Sequence, residues 1–115
     1  MNRITLALTA LILMAGPAYC ADGAKIFQLQ CKTCHQAKSS LAGPGLAGVA
    51  GRQIASLGDF TYSAGLKGKK GSWTDANLDA FLSGPARFAP GTRMLMGVAA
   101  PADRAAVVDY LKTLK

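Results

Sequence analysis

Apolar residues gather in four stretches of the chain and are scattered elsewhere. The first, Ile4 to Ala15, is a nearly unbroken apolar run, interrupted only by threonines. The second, Asp22 to Lys32, places Gly23, Phe27 and Cys31 four apart, with Ile26 and Leu29 broadening the apolar side, and this spacing predicts a helix. The third, Thr74 to Ser83, carries Leu78, Phe81 and Leu82 on one stripe, with Thr74 as cap and Asp75 in the first turn, before Gly84-Pro85 stops it. The fourth opens at Pro101 and runs to the C-terminus, with Val107, Tyr110, Leu111 and Leu114 as its buried stripe and Lys112 and Lys115 at its negative end. Between these stretches, glycine and serine recur without helical or strand period, from Ser39 to Gly71, and Arg87 to Gly97 is again irregular around a Pro90-Gly91 turn. The pattern predicts an all-α domain of three main helices and long loops, with no strand and no internal repeat.

The first apolar stretch belongs to something else. Arg3 gives a positive start, Gly16-Pro17 ends the run, and Ala18 and Cys20 put small residues at the minus-three and minus-one positions of a cut after Cys20. Residues 1–20 are therefore expected to be a secretory signal peptide and residues 21–115 the folded domain. The run is shorter than the roughly 20 apolar residues of a membrane span, so stable membrane insertion is not expected. Export places the domain in the periplasm, where free cysteine pairs are unusual. What remains, about 95 residues, can fold alone but around a modest core. Long loops in so small a domain are expected to wrap a large apolar guest. Thirteen Lys and Arg face six acids, all Asp, for a formal +7, and only Arg3 of these lies in the leader. That balance suits an acidic protein partner. Nucleic acid fits poorly, because no basic helix and no interleaving of aromatic with basic residues appears.

The two cysteines left after cleavage lie in Cys31-Lys32-Thr33-Cys34-His35. Three chemistries use such a trio: a structural zinc site, a redox dithiol and a haem attachment site. Zinc wants four ligands, and only one histidine accompanies the two cysteines. A dithiol of the thioredoxin kind sits in a βαβ setting, and no strand precedes this one. The haem reading uses every residue: two thiols one turn apart for the two vinyl groups, and His35 for the iron. With His35 the only histidine, a second axial ligand would be a Met or a Lys, or the position would be open. Met94 and Met96 are the methionines outside the leader. Either fits as ligand or as core filler, and Met94 ends an irregular loop from which a side chain can be aimed across a cavity.

Five landmarks in order carry a resemblance: GAKIFQLQCKTCH at 23–35, GPGLAGVAGR at 43–52, FTYSAGLKGKKGSW at 60–73, GPARFAPGTRM at 84–94 and VVDYLK at 107–112. With these the chain resembles class I cytochrome c, of the mitochondrial and related bacterial type, over nearly all of its length past the leader. The resemblance implies a small cytochrome c fold around one haem c, covalent through Cys31 and Cys34. His35 would be the proximal iron ligand, with the Pro44 carbonyl accepting its other ring N–H, and Met94 the distal ligand. Tyr62 and Trp73 would donate to a haem propionate, Arg52 would lie near the same charges, and Thr92 would sit beside the inner propionate and the Met loop. Gly23 and Phe27 would pack against Tyr110 where the terminal helices cross. Two positions depart from the family pattern. Phe81 stands where many members have a tyrosine whose hydroxyl reaches the Met sulfur, and Leu66 where an asparagine often holds a buried water.

The implied function is electron transfer without catalysis: an exported, monomeric carrier shuttling one electron between acidic redox partner proteins. Lys32, Lys38, Arg87 and Arg93 are expected to ring the exposed haem edge, and Lys67, Lys69 and Lys70 to be solvated on a loop elsewhere. A haem enzyme or ligand sensor with a labile Met94, and a cytochrome subunit of a larger dehydrogenase complex, are the alternatives.

Overall fold

A computed structural model describes residues 20–115, so the expected leader lies, except for Cys20, outside the described residues. Helix α1, Gly23–Gln30, starts where the Asp22 carboxylate accepts the Lys25 N–H at 3.2 Å, and ends at Cys31. Helix α2, Ala64–Lys67, is a single turn capped by Ser63. Helix α3, Asp75–Ser83, is capped by Thr74, whose hydroxyl accepts the Asn77 N–H at 3.1 Å. Helix α4, Pro85–Phe88, is a second single turn, and α5, Pro101–Leu111, closes the chain. The three longer helices stand where the apolar pattern places them. The two single turns were not predicted, because four residues show no period; α4 occupies part of the stretch expected to be irregular.

The α1/α5 crossing organises the fold. A β-carbon at Gly23 would overlap the carbonyl oxygen of Ala106, so only glycine lets the two backbones approach this closely. One turn on, the Phe27 and Tyr110 rings meet at 5.1 Å between centroids. Helix α3 packs on α5 from the other side, and the Arg104 guanidinium meets the Asp79 carboxylate at 2.8 Å across that contact. The core gathers Phe27, Leu78, Phe81, Leu82, Val98, Val107, Val108 and Leu111. Two details correct the sequence reading. Leu29 is 71 % exposed: two residues past Phe27 it lies about 200° around the helix, away from α5. On α5 it is Val108 that is buried, while Tyr110 is half-buried, and the helix stops at Leu111 short of the C-terminus, so the half-buried Leu114 lies past its end instead of on its stripe.

The glycine-rich segment is held by hydrogen bonds between loops in place of regular structure. The Gly48 N–H donates to the Leu114 carbonyl, the Gly51 N–H to that of Trp73, both at 2.9 Å, and Trp73 N–H to Arg52 at 2.8 Å. An isolated antiparallel bridge joins Gln53 to Ser72. These contacts answer backbone groups that a long loop would otherwise leave unpaired, and they close the wall opposite the helices.

Replacing Gly23 by Ala forces backbone apart from backbone. Guanidinium unfolding of the haem-loaded protein is expected to show a loss at the upper end of the ~1–3 kcal/mol typical of overpacking, with a lower midpoint and an unchanged slope.

Candidate functional site

Helix α1 leads directly into CKTCH. The N–H groups of Cys34 and His35 both donate to the Cys31 carbonyl, at 3.1 and 2.9 Å, so the motif is a compact turn that continues the helix end. Cys31 is half-buried and Cys34 exposed, and burial pushes the Cys31 thiol above its ordinary value. The next turn of chain carries Gly43-Pro44. His35 Nδ1 lies 2.9 Å from the Pro44 carbonyl oxygen. A carbonyl only accepts, so Nδ1 is the donor here, and Nε2 is the ring nitrogen left for a ligating role. Gly43 makes the arrangement possible: a β-carbon there would come within 2.8 Å of the Cys34 carbonyl and 3.1 Å of the imidazole.

Met94 reaches the same place from the other side of the sequence. Ala89 to Thr92 forms a turn with Pro90 second and Gly91 third, closed by Thr92 N–H to the Ala89 carbonyl at 3.0 Å. Gly91 has φ +86°, the left-handed value the third position of a type II turn needs. Thr92 is buried, and its hydroxyl accepts the Met94 N–H at 3.3 Å. Gly65 of α2 lies against Pro90 so closely that a β-carbon would overlap the Pro90 carbonyl oxygen.

Between these walls is a cavity of about 350 Å³, within the range of ligand pockets. Cys31, Cys34, His35, Pro44, Arg52 and Tyr62 line it, and so do Trp73, Thr92 and Met94; the nine residues expected to hold the haem are therefore brought to one hollow. Most of the remaining lining is apolar: Phe27, Leu46, Val49, Leu66, Leu78, Phe81, Leu82, Val107 and Leu111 among them. Phe81 is buried against the Trp73 ring at 5.2 Å and edge-on to Phe88 at 5.7 Å, with no hydroxyl to offer. Among the described residues no group of three or more His, Cys, Asp or Glu is placed to hold a metal ion.

The residues present fit haem c. Arg52 donates through Nη1 to Ala47 at 3.2 Å and through Nη2 to Gly45 at 3.0 Å, which leaves its buried Nε without a partner. An unanswered buried guanidinium N–H is costly, and Arg52 brings its positive charge to the lining of an otherwise apolar hollow, where an anionic tail such as a propionate would balance it. The Tyr62 hydroxyl accepts the Leu57 N–H at 3.3 Å and keeps its own proton free to donate. An apolar body with an anionic edge matches this distribution of polarity.

The rim differs from the sequence reading. Lys32 and Lys38 are exposed as expected. Arg93 is also exposed, but it donates to the Thr61 carbonyl and lies over the Phe60 ring at 5.4 Å, while Arg87 turns back to the Ser83 hydroxyl at 3.3 Å. Lys69 is half-buried over the Phe88 ring at 4.8 Å, so it is not merely solvated. Leu41, Leu95 and Met96 line the mouth with largely exposed side chains, an apolar rim that no periodicity signals.

The family profile described as Cytochrome c matches residues 20–115. A cytochrome c-type cyt cy of Rhodobacter capsulatus is 43% identical over 94 residues; the match takes in 80% of this chain and 47% of that protein, so the chain spans about half its length. Cytochrome c of Tetrahymena pyriformis is 42% identical over 94 residues, covering 80% of this chain and 85% of that one. Among solved structures, cytochrome cH from Methylobacterium extorquens superposes with a TM-score of 0.73 at 33% identity, over 81% of this chain and 99% of its own. Sequence and fold thus agree with the polarity of the hollow: the chain belongs to the cytochrome c family of electron carriers, with haem c held covalently at Cys31 and Cys34.

Proposed function

We propose that residues 21–115 form an exported carrier of single electrons, in which His35 and Met94 are the axial ligands of one haem c. The observation that carries this reading is the convergence of the CKTCH turn and the Met94 loop on one apolar hollow. When bound, haem c supplies a one-electron ferric/ferrous couple. The chain's own residues set its terms. The Pro44 carbonyl holds the His35 tautomer and raises the basicity of Nε2. Thr92 steadies the backbone at Met94, whose soft thioether favours the ferrous state. The apolar walls exclude water and disfavour the more highly charged ferric site. Arg52 Nε and the Tyr62 hydroxyl, with Trp73 beside them, take the propionate end.

The leader pattern of residues 1–20 supports delivery to the periplasm, and no helix of the described residues is long and apolar enough to cross a membrane. The partners are acidic redox proteins, met by a monomer through Lys32, Lys38 and the apolar rim. Such encounters are steered by charge and short-lived.

The reading is tested by visible spectra of the exported protein. The ferric form is expected to show the weak far-red iron–sulfur band, lost in Met94→Ala and kept in Met96→Ala. The midpoint potential of Met94→Ala is expected to fall by on the order of 0.1 V or more, part of the ~0.8 V that axial ligands span. A wild-type protein that lacks the band, or whose reduced form binds carbon monoxide tightly at neutral pH, would belong with haem enzymes and sensors instead.

Arg52→Ala removes a cation that opposes the ferric charge. Its potential is therefore expected to drop, by the equivalent of about 1 kcal/mol for a partly screened pair, measured by redox titration. Stopped-flow transfer to an acidic partner should slow steeply as salt rises from 0.01 to 0.15 M, about the span over which the Debye length shrinks from 30 to 8 Å.

A further inference from the structure

The segment that carries Met94 is held at two ends. Its entry is fixed by the Pro90-Gly91 turn, by Gly65 against Pro90, and by Thr92. Its exit is fixed by α3 and α5. The Val98 N–H donates to the Leu82 carbonyl at 2.8 Å, and a β-carbon at Gly97 would overlap that same carbonyl oxygen, so the chain leaves the cavity pressed against the end of α3. Val98 is buried and lines the cavity. The Val98 carbonyl then accepts Arg104 Nη1 at 3.1 Å, and the Ala99 carbonyl accepts the same nitrogen at 2.8 Å. Arg104 Nε reaches Asp79 on α3 at 2.8 Å. The Arg104 side chain is only 13% exposed, whereas Asp79 is half in solvent.

Asymmetric burial separates the roles of these bonds. An ion pair with one partner half in water contributes little to stability. Two carbonyls held by one largely buried guanidinium nitrogen are a different matter, because without Arg104 they lose a charge-assisted donor beside a tightly packed loop. Between the two anchors, Leu95 and Met96 are exposed and pack on little. The position of Met94 therefore depends on both ends being held, and at the exit, which runs into α5 at Pro101, the Arg104 side chain pins the two carbonyls just before the helix.

We propose that Arg104 is a positioning residue for the Met94 thioether: through the Val98 and Ala99 carbonyls it holds the exit of the distal loop, and so keeps the sulfur in place against competing ligands. This rests on the assignment of Met94 as distal ligand. Asp79 serves to orient the guanidinium and is the lesser part of the device.

Imidazole binding to the ferric, haem-loaded protein tests it, because imidazole enters only when the sulfur leaves. Binding rates and affinity would be measured for wild type, Arg104→Ala, Arg104→Lys, Asp79→Asn and Val108→Ala, beside guanidinium unfolding and amide exchange at Val98. Val108 is buried on α5 but does not line the cavity, so its truncation lowers global stability without touching the loop. The apparent imidazole affinity of Arg104→Ala is expected to rise about tenfold as the open population grows, with faster Val98 exchange. Arg104→Lys, which keeps the charge but not the fork, is expected to fall between Arg104→Ala and wild type. Asp79→Asn and Val108→Ala are expected to stay within about twofold of wild type. If imidazole affinity follows global stability across all four variants, or is unchanged in both Arg104 variants, Arg104 is structural only and the proposal fails. Should Arg104→Ala not fold, Arg104→Lys with Val98 exchange decides the same question. Absence of the iron–sulfur band in wild type would overturn the Met94 assignment and this proposal with it, whereas a normal band with unaltered imidazole binding overturns this proposal alone.

Discussion

Everything in this domain is referred to the contact between the backbones of α1 and α5 at Gly23 and Ala106. Helix α1 runs straight into the CKTCH turn, so the depth at which it rests on α5 sets where Cys31 and His35 stand. Helix α5 in turn carries Arg104, which holds the exit of the Met94 segment. One helix thus sets the placement of both walls of the hollow. The Phe27–Tyr110 ring contact reinforces the crossing one turn later, and Val107 and Leu111 of α5 line the cavity. Small domains have few such contacts available, which makes a glycine at the crossing more consequential than most core side chains.

Several polar groups of the site are held by backbone carbonyls. Pro44 orients His35, Gly45 and Ala47 hold Arg52, and Thr61 receives Arg93. Carbonyls cannot be titrated, and they move only with the chain. Loops without regular structure therefore become rigid frames for charged and ligating side chains. The glycines that look like punctuation in the sequence mark places where backbone must come close to ring or backbone, as at Gly43 beside the imidazole and Gly65 beside Pro90.

Much of this was legible beforehand. The three longer helices and the Pro90-Gly91 turn follow from spacing and cap chemistry, and the family resemblance implies the Gly23 crossing and the His35–Pro44 pair. Other features were not, for definite reasons. The single turns α2 and α4 are too short for a period to register. Leu29 was misplaced because its apolarity was counted without its angle around the helix. Arg87 and Arg93 were expected only as part of a basic ring, because charge density says nothing about the carbonyl, hydroxyl and ring partners that hold them. The Arg104 arrangement joins residues 79, 98, 99 and 104 through two carbonyls, and carbonyls leave no mark in a sequence.

The seating of Gly65 on Pro90 has a consequence for how such a chain changes over generations. Helix α2, just after Tyr62, and the turn just before Met94 touch without any side chain between them, so a shift of one is passed to the other. A lengthened or shortened 60s loop would transmit its displacement directly into the turn at residues 89–92. Variation that reshapes the propionate end is thus coupled by contact to variation at the distal end. Lineages exploring new potentials would have to alter the two loops together or leave both as they are.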